Sequence, residues 1–514
     1  MHFKTTAETA IMPGLTTATQ STCRVATNLP ARRPAQGTHP TGADPNRWIM
    51  HPCHPIKAYD IRGHVDDVTP ELARTVGEAF AYLAKAEKIV VAHDMRPTSP
   101  VLADAFTAGV STTGTDVIAL GLASTDQLYF ASGTLHLPAA MITASHNPAS
   151  DNGIKLVGPG ASPIAQDTGL EDIHTYLHTG RLPGQSHPAQ APASAGHVYS
   201  ADLHQAYTSY LRGLVELDGI RPLKVAIDAG NGMAGHVLPD LLEGLPLDIV
   251  PLYFELDGTF PHHDADPMNP ANLTDLQAAV VGSGADLGIA FDGDADRCFI
   301  LDERGAPIPP CALLAWMATR LLARKPDSTV VHDLLTSAGT IEAITEAGGT
   351  PVRSRVGHAF VKLAMEAHGA ALGGEASGHY YFGDFWHADS GPLAALHVLN
   401  AVGHSVQPVS QATAPFRRYA SSGEVNTRVT DAPAVIRAVE EAFEERGFID
   451  RLDGLSVSLG SGCWFNLRPS NVDPVVRLTA EAPTDQAMSE LRDEILELIA
   501  GADGATAYVP GLSE

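Results

Sequence analysis

Thr143-Ala-Ser-His-Asn-Pro148 follows the apolar run Leu137-Pro-Ala-Ala-Met-Ile142, and the junction between the two decides how the whole chain is read. A short apolar run bounded by turn-forming residues predicts a buried strand, here ending at Thr143. A serine just past a strand end, followed by His146, Asn147 and Pro148, sits on a loop held by a rigid scaffold. Ser145 is therefore a candidate nucleophile or phosphate carrier, with His146 a candidate proton acceptor beside it. An ordinary Ser/Asn/Pro turn would look the same, so this stretch alone leaves both readings open.

A second loop shifts the balance. Asp292-Gly-Asp-Ala-Asp-Arg297 also follows an apolar run, Leu287-Gly-Ile-Ala-Phe291. Carboxylates at alternate positions, Asp292, Asp294 and Asp296, suit a hard divalent cation with oxygen ligands. Gly293 and Ala295 are small enough to let the backbone fold tightly around an ion. No bidentate acid closes a twelve-residue loop, which excludes an EF-hand. Like charges this close repel without a cation, so a plain acidic turn is the weaker reading. Mg²⁺ fits best, because it binds through a few carboxylates plus a phosphate oxygen. A phosphorylated Ser145 would supply that oxygen and join the aspartates as a metal ligand.

Together these loops resemble those of the α-D-phosphohexomutase superfamily, in its bacterial phosphomannomutase/phosphoglucomutase branch. The resemblance runs from about Lys57 to about Ile499, and two further motifs fall in the family's order. Gly374-Glu-Ala-Ser-Gly-His379 resembles a sugar-specificity loop, and Arg468-Pro-Ser-Asn-Val-Asp-Pro474 resembles a C-terminal phosphate-binding loop. The resemblance implies an isomerase that interconverts hexose 6-phosphate and hexose 1-phosphate, of mannose and possibly glucose. It would work through phosphoserine at Ser145 and a hexose 1,6-bisphosphate intermediate. It further implies that Tyr59, Arg297, His358, Glu375, Ser377, Arg468, Ser470 and Asn471 bind substrate. Arg62, His146, Lys155 and His379 would serve the chemistry.

Residue chemistry supports several of these roles independently. A guanidinium binds phosphate in bidentate fashion, which suits Arg62 beside Tyr59 and Arg468 beside Ser470 and Asn471. Lys155 could act as acid or base if its pKa is lowered, and His379 titrates near neutrality. Glu375 and Ser377 offer acceptor and hydroxyl groups to a sugar.

The chain in order reads as α/β. Its 514 residues exceed one core, so three or four domains are expected. The expectation is three consecutive mixed-sheet α/β domains plus a C-terminal α+β domain around a central cleft, at 51–195, 196–305, 306–418 and 419–514. The last should run β-α-β-β-β-α, with Asp431 as a helix N-cap. Residues 1–50, rich in Thr, Ala and Pro, read as a disordered leader, or as upstream sequence with Met50 the true start. Asp228-Ala-Gly-Asn-Gly232 could cradle a phosphate, although a tight turn is the commoner use of such a stretch.

With 44% hydrophobic and 18% charged residues, the composition is that of a soluble globular protein, and no apolar run is long enough to cross a bilayer. A net charge of −26 argues against nucleic acid as the main partner. Cys23, Cys53, Cys298, Cys311 and Cys463 are scattered without a metal or disulfide spacing, which suits a reducing cytoplasm. A monomer or dimer is expected.

The rival readings are a phosphoglucosamine mutase, a metal-dependent phosphatase, and a phosphosugar-binding relative that has lost activity. Against the first, relatives of that kind usually carry Ser-Gly-Thr where this chain has Ser470-Asn471-Val472. Val472 and Leu335 depart from the family's pattern, and each puts one substrate contact in question.

Overall fold

A computed structural model describes residues 55–57, 59–184, 194–470 and 474–503. The expected leader, Cys23 and Cys53, and the clamp residues Asn471 and Val472 lie outside the described residues.

The first three sheets repeat one figure. A central strand (Lys88–His93, Leu223–Asp228 or Thr329–Asp333) pairs in parallel with a flanking strand (Asp116–Leu122, Leu247–Leu252 or Thr350–Ser354). On its other side it pairs in parallel with a third strand: Ala139–Ile142, Leu287–Phe291 or Leu372–Gly374. The chain then turns back into an antiparallel neighbour: Asp151–Val157, Cys298–Leu301 or Tyr380–Phe382. Val, Ile and Leu dominate the central strands, as sheets covered on both faces require. Each reversal from parallel to antiparallel is the loop singled out by sequence: serine, metal and sugar loop in turn. Each central strand also ends on, or one residue before, a buried aspartate: Asp94 after the first, Asp228 and Asp333 in the others.

Two boundaries move. Val198–Ser200 pairs with Val117–Ala119 and so belongs to the first sheet, past the expected limit at 195. Pro307–Ile308 completes the second sheet, past 305. The fourth sheet is wholly antiparallel, with one strand more than expected, Phe448–Asp450. That strand is three residues long with Phe448 exposed, so it has no alternating pattern to read. Asp431 does cap its helix, accepting from Ala434 N.

One apolar core runs through the first three domains, including Met141, Tyr207, Phe291 and Leu393, and it fixes their loops relative to each other. The C-terminal domain has its own, around Val439, Phe443, Phe465 and Ile495.

Candidate active site

Ser145 lies three residues beyond the strand Ala139–Ile142, with φ 52° and its side chain buried. A left-handed conformation costs a non-glycine residue about 1–2 kcal/mol, so something must hold it there. Arg96 does. Fully buried, it donates to the carbonyls of Ser145 (2.8 Å), Asn147 (2.6 Å), Pro148 (2.7 Å) and Asp151 (2.8 Å). Asp94 orients it, accepting from Arg96 N at 3.0 Å and from Ser99 Oγ at 2.6 Å. Sequence reading missed Arg96, although its place two residues after a strand-ending aspartate was a usable signal.

Ser145 Oγ donates to Asp292 Oδ2 at 2.7 Å and lies 3.3 Å from His146 Nδ1. Burial and the neighbouring Arg297 and Arg62 hold the His146 pKa well below its ordinary value. A neutral imidazole can accept a proton. Close approach of the two loops needs Gly293, where a Cβ would stand 2.5 Å from the Ser145 carbonyl oxygen. The turn Asp228–Gly232 supports the metal loop instead of cradling a ligand. Its amides are spent within the protein: Gly230 N on Asp228 Oδ1, Gly232 N on Ala229 O, and the following Met233 N on Gly293 O.

Asp292, Asp294 and Asp296 are buried, and their oxygens converge within 4.8 Å of one another. Burial and the other two aspartates push the Asp292 pKa well up, the mark of too little countercharge. Asp294 Oδ1 is buried without a donor. These residues fit a divalent cation. Thr125 holds Asp294, its Oγ1 donating to Oδ2 at 2.6 Å, another contact not seen from sequence.

Lys155 Nζ stands 2.7 Å from Asp294 and 2.6 Å from Asp296. Burial lowers its pKa, but the two carboxylates outweigh burial and raise it overall. The condition set for Lys155, a lowered pKa, is therefore reversed. As placed it is a countercharge. Against burial, Lys155 and His379 hold Asp296 well below the usual carboxylate range.

The sugar loop meets the metal loop through His379, which bridges to Arg297 in a strand-like contact. Its Nε2 is 3.3 Å from Asp296 Oδ1, and its Nδ1 is 3.2 Å from Glu375 Oε2 and 2.8 Å from Ser377 Oγ. Burial and Arg297 oppose protonation, but the flanking carboxylates raise the imidazole to about 9. Glu375 accepts from Gly357 N (2.7 Å) on Oε1 and from Tyr381 OH (2.5 Å) on Oε2, and with His379 also on Oε2 a lone pair remains on Oε1 for a further donor. Arg62 donates to Asn147 Oδ1 (3.0 Å) and Asp60 Oδ2 (2.6 Å). Tyr59 packs edge-on against His358 at 5.0 Å, and among the described residues neither ring nitrogen of His358 has a hydrogen-bond partner.

On the C-terminal domain, Arg468 and Arg477 face each other across adjacent strands and share Glu424, at 2.8 and 3.0 Å. Arg477 also donates to Ser470 Oγ at 3.4 Å. Sequence reading missed Arg477 because it lies in an alternating strand outside any motif. The positive field of Arg468 reaches Asp333, whose Oδ2 accepts from Ala376 N of the sugar loop. Leu335 donates its backbone N–H to Asp333 Oδ1, so its side chain adds no charge there.

Models of the phosphoglucomutase/phosphomannomutase domains match in order: domain I at 55–182, domain II at 205–305, domain III at 310–419 and the C-terminal domain at 424–498. A phosphomannomutase of Salmonella montevideo is 38% identical over 86% of this chain and 98% of its own length. A phosphohexose mutase of Xanthomonas campestris is 39% identical over 87% of this chain and 99% of its own. The crystal structure of a phosphoglucomutase/phosphomannomutase family protein from Burkholderia thailandensis superposes with TM-score 0.79 and 30% identity, covering 88% of this chain and 98% of that one. With the serine, metal, sugar and clamp loops each in its matched domain, the chain belongs to the phosphoglucomutase/phosphomannomutase family and is a phosphohexomutase.

Proposed function

We propose that the enzyme interconverts the 1- and 6-phosphates of mannose, and of glucose, by way of phospho-Ser145 and a hexose 1,6-bisphosphate. The observation that carries this reading is Ser145 itself: held in a left-handed conformation, hydrogen-bonded to Asp292 and beside a neutral His146. The phosphoryl group leaves Ser145 Oγ for the free hydroxyl of a hexose phosphate, and the proton of that hydroxyl passes by way of His146 to the freed Ser145 Oγ. The bisphosphate then turns over, returns its other phosphoryl group to Ser145, and departs as the isomer. Such transfers depend on positioning and charge neutralisation.

Asp292, Asp294 and Asp296 would hold Mg²⁺, which supplies charge neutralisation at the transferring phosphoryl group when bound. Arg297 and Arg62 add positive charge at the reacting end. Arg468, with Ser470 and Asn471, takes the phosphate that is not reacting. Glu375 and Ser377 face the sugar hydroxyls, with Tyr59 and His358 beside them.

A coupled assay comparing mannose 1-phosphate, glucose 1-phosphate and glucosamine 1-phosphate tests the substrate class. Turnover of the first two, abolished by chelation and restored by Mg²⁺, is expected. Preference for the glucosamine phosphate, or release of inorganic phosphate, would overturn the assignment.

A further inference from the structure

A cavity of about 100 Å³ lies at the base of the hairpin whose tip is the sugar loop. Leu372 and Phe382, directly paired across that hairpin, form part of its floor. Leu321, Met317 and Leu393 add to the apolar lining. His397 adds a flat wall, stacked on Phe382 with ring centroids 5.1 Å apart and planes within 12°.

The polar side of the cavity is mostly positive, two arginines against one rim acid. Arg320 and Arg324 stand one turn apart on the helix Pro310–Arg324. Like charges at that spacing repel, and helices ordinarily relieve them with a nearby acid. Among the described residues no carboxylate pairs with either one, Arg320 reaches only Asn400 Oδ1, at 3.4 Å, and Arg324 has no hydrogen-bond or ion-pair partner. Asp384, the acid at the rim, lies 3.3 Å from Lys325. His397 lines the cavity together with both arginines.

We infer that this cavity binds a small organic anion, a carboxylate or phosphate carried on a flat apolar body. The guanidinium pair takes the charge in its planar forks. The floor and the His397 wall take the body, for which a pocket of this size has room for little more than one ring. The residues involved belong to neither the serine, metal, sugar nor clamp loops, so the site stands apart from the phosphosugar site.

Isothermal titration of the intact protein with benzoate, benzamide and inorganic phosphate tests this. Benzoate should bind more tightly than benzamide, which has the body without the charge, and than phosphate, which has the charge without the body. The double variant Arg320→Gln/Arg324→Gln should weaken benzoate about tenfold or more, as loss of charge-assisted bonds implies. Leu321→Phe, which fills the cavity and leaves both charges, should weaken it too. Mutase turnover without benzoate should be unchanged in both variants, which also reports that they fold. Equal binding of benzoate and benzamide, unchanged binding in the double variant, or a loss seen only in Arg468→Lys would overturn the proposal.

Discussion

The two ends of the phosphosugar site are built on opposite plans. At the reacting end the side chains of Asp292, Asp294 and Asp296 are at most 1% exposed, and Lys155 is 5%. Every group there is tied to at least one other, and Arg96 pins the serine loop from behind. At the clamp, Arg468 is 15% exposed, Glu424 26% and Arg477 33%, on a domain with a separate core. A buried, over-determined centre is suited to phosphoryl transfer, which gains most from groups that need no rearrangement. A wetter clamp held by one shared carboxylate can release a phosphate and take it again. Under the proposed clamp role Glu424 would be the exchangeable element, with a phosphate taking its place between the same two guanidinium groups.

Removing the group that reacts should have the largest effect. Ser145→Ala should lower turnover by at least about three decades in a coupled assay, because no other group carries the phosphoryl. Melting temperature should barely move, since a single hydroxyl is lost. Arg96→Lys should come next: the charge beside Asp94 remains, but most of its carbonyl hydrogen bonds go. At about 1 kcal/mol net each, stability should fall by about 3 kcal/mol in denaturant titration, with turnover falling as Ser145 loses its conformation. Unchanged turnover would show that the reacting end is not over-determined.

A third prediction concerns the junction of the first three domains. Asp126 accepts from Ser124, Tyr207 and Ser390, and burial raises its pKa to about 6 from 3.8. The folded state thus binds that proton more tightly than the unfolded chain. Its contribution is fully present below pH 3.8 and is lost as pH rises through about 6. Relative to Asp126→Asn, the wild type should lose up to about 3 kcal/mol of stability over that window, read by urea unfolding at a series of pH values. A pH-independent difference would remove the claim that this carboxyl is raised.

The smallest effect belongs to the clamp. Arg468→Lys keeps the charge and loses the fork, so phosphate binding should weaken by about 2 kcal/mol, for mannose and glucose phosphates alike. Melting temperature should be unaffected. A shift in sugar preference at unchanged affinity would exchange the roles of the clamp and the sugar loop.

How much of this was legible depends on where each residue's partner lies. Ser145, the three aspartates and Glu375 show themselves because they sit in short loops beside strand ends, and Arg468 because Pro469, Ser470 and Asn471 follow it at the end of its strand. Arg96 and Thr125 do not, since their partners are backbone carbonyls and a carboxylate far along the chain. Arg477 stays hidden in a strand, visible only once register places it opposite Arg468. The raised pKa of Lys155 is not legible in sequence, because its two carboxylate partners come from another domain. The threefold figure also escapes sequence, because what repeats is strand order and direction, with little in common between the loops beyond their place.

The central claim is that Ser145 carries the phosphoryl group, and mass spectrometry tests it most directly. Enzyme incubated with hexose 1,6-bisphosphate and Mg²⁺, then digested, should carry one phosphate on the peptide containing Ser145. The label should leave on addition of excess hexose 6-phosphate and be absent from Ser145→Ala. Full turnover with Ser145 never phosphorylated, or phosphate found on another residue that exchanges at the catalytic rate, would contradict the account.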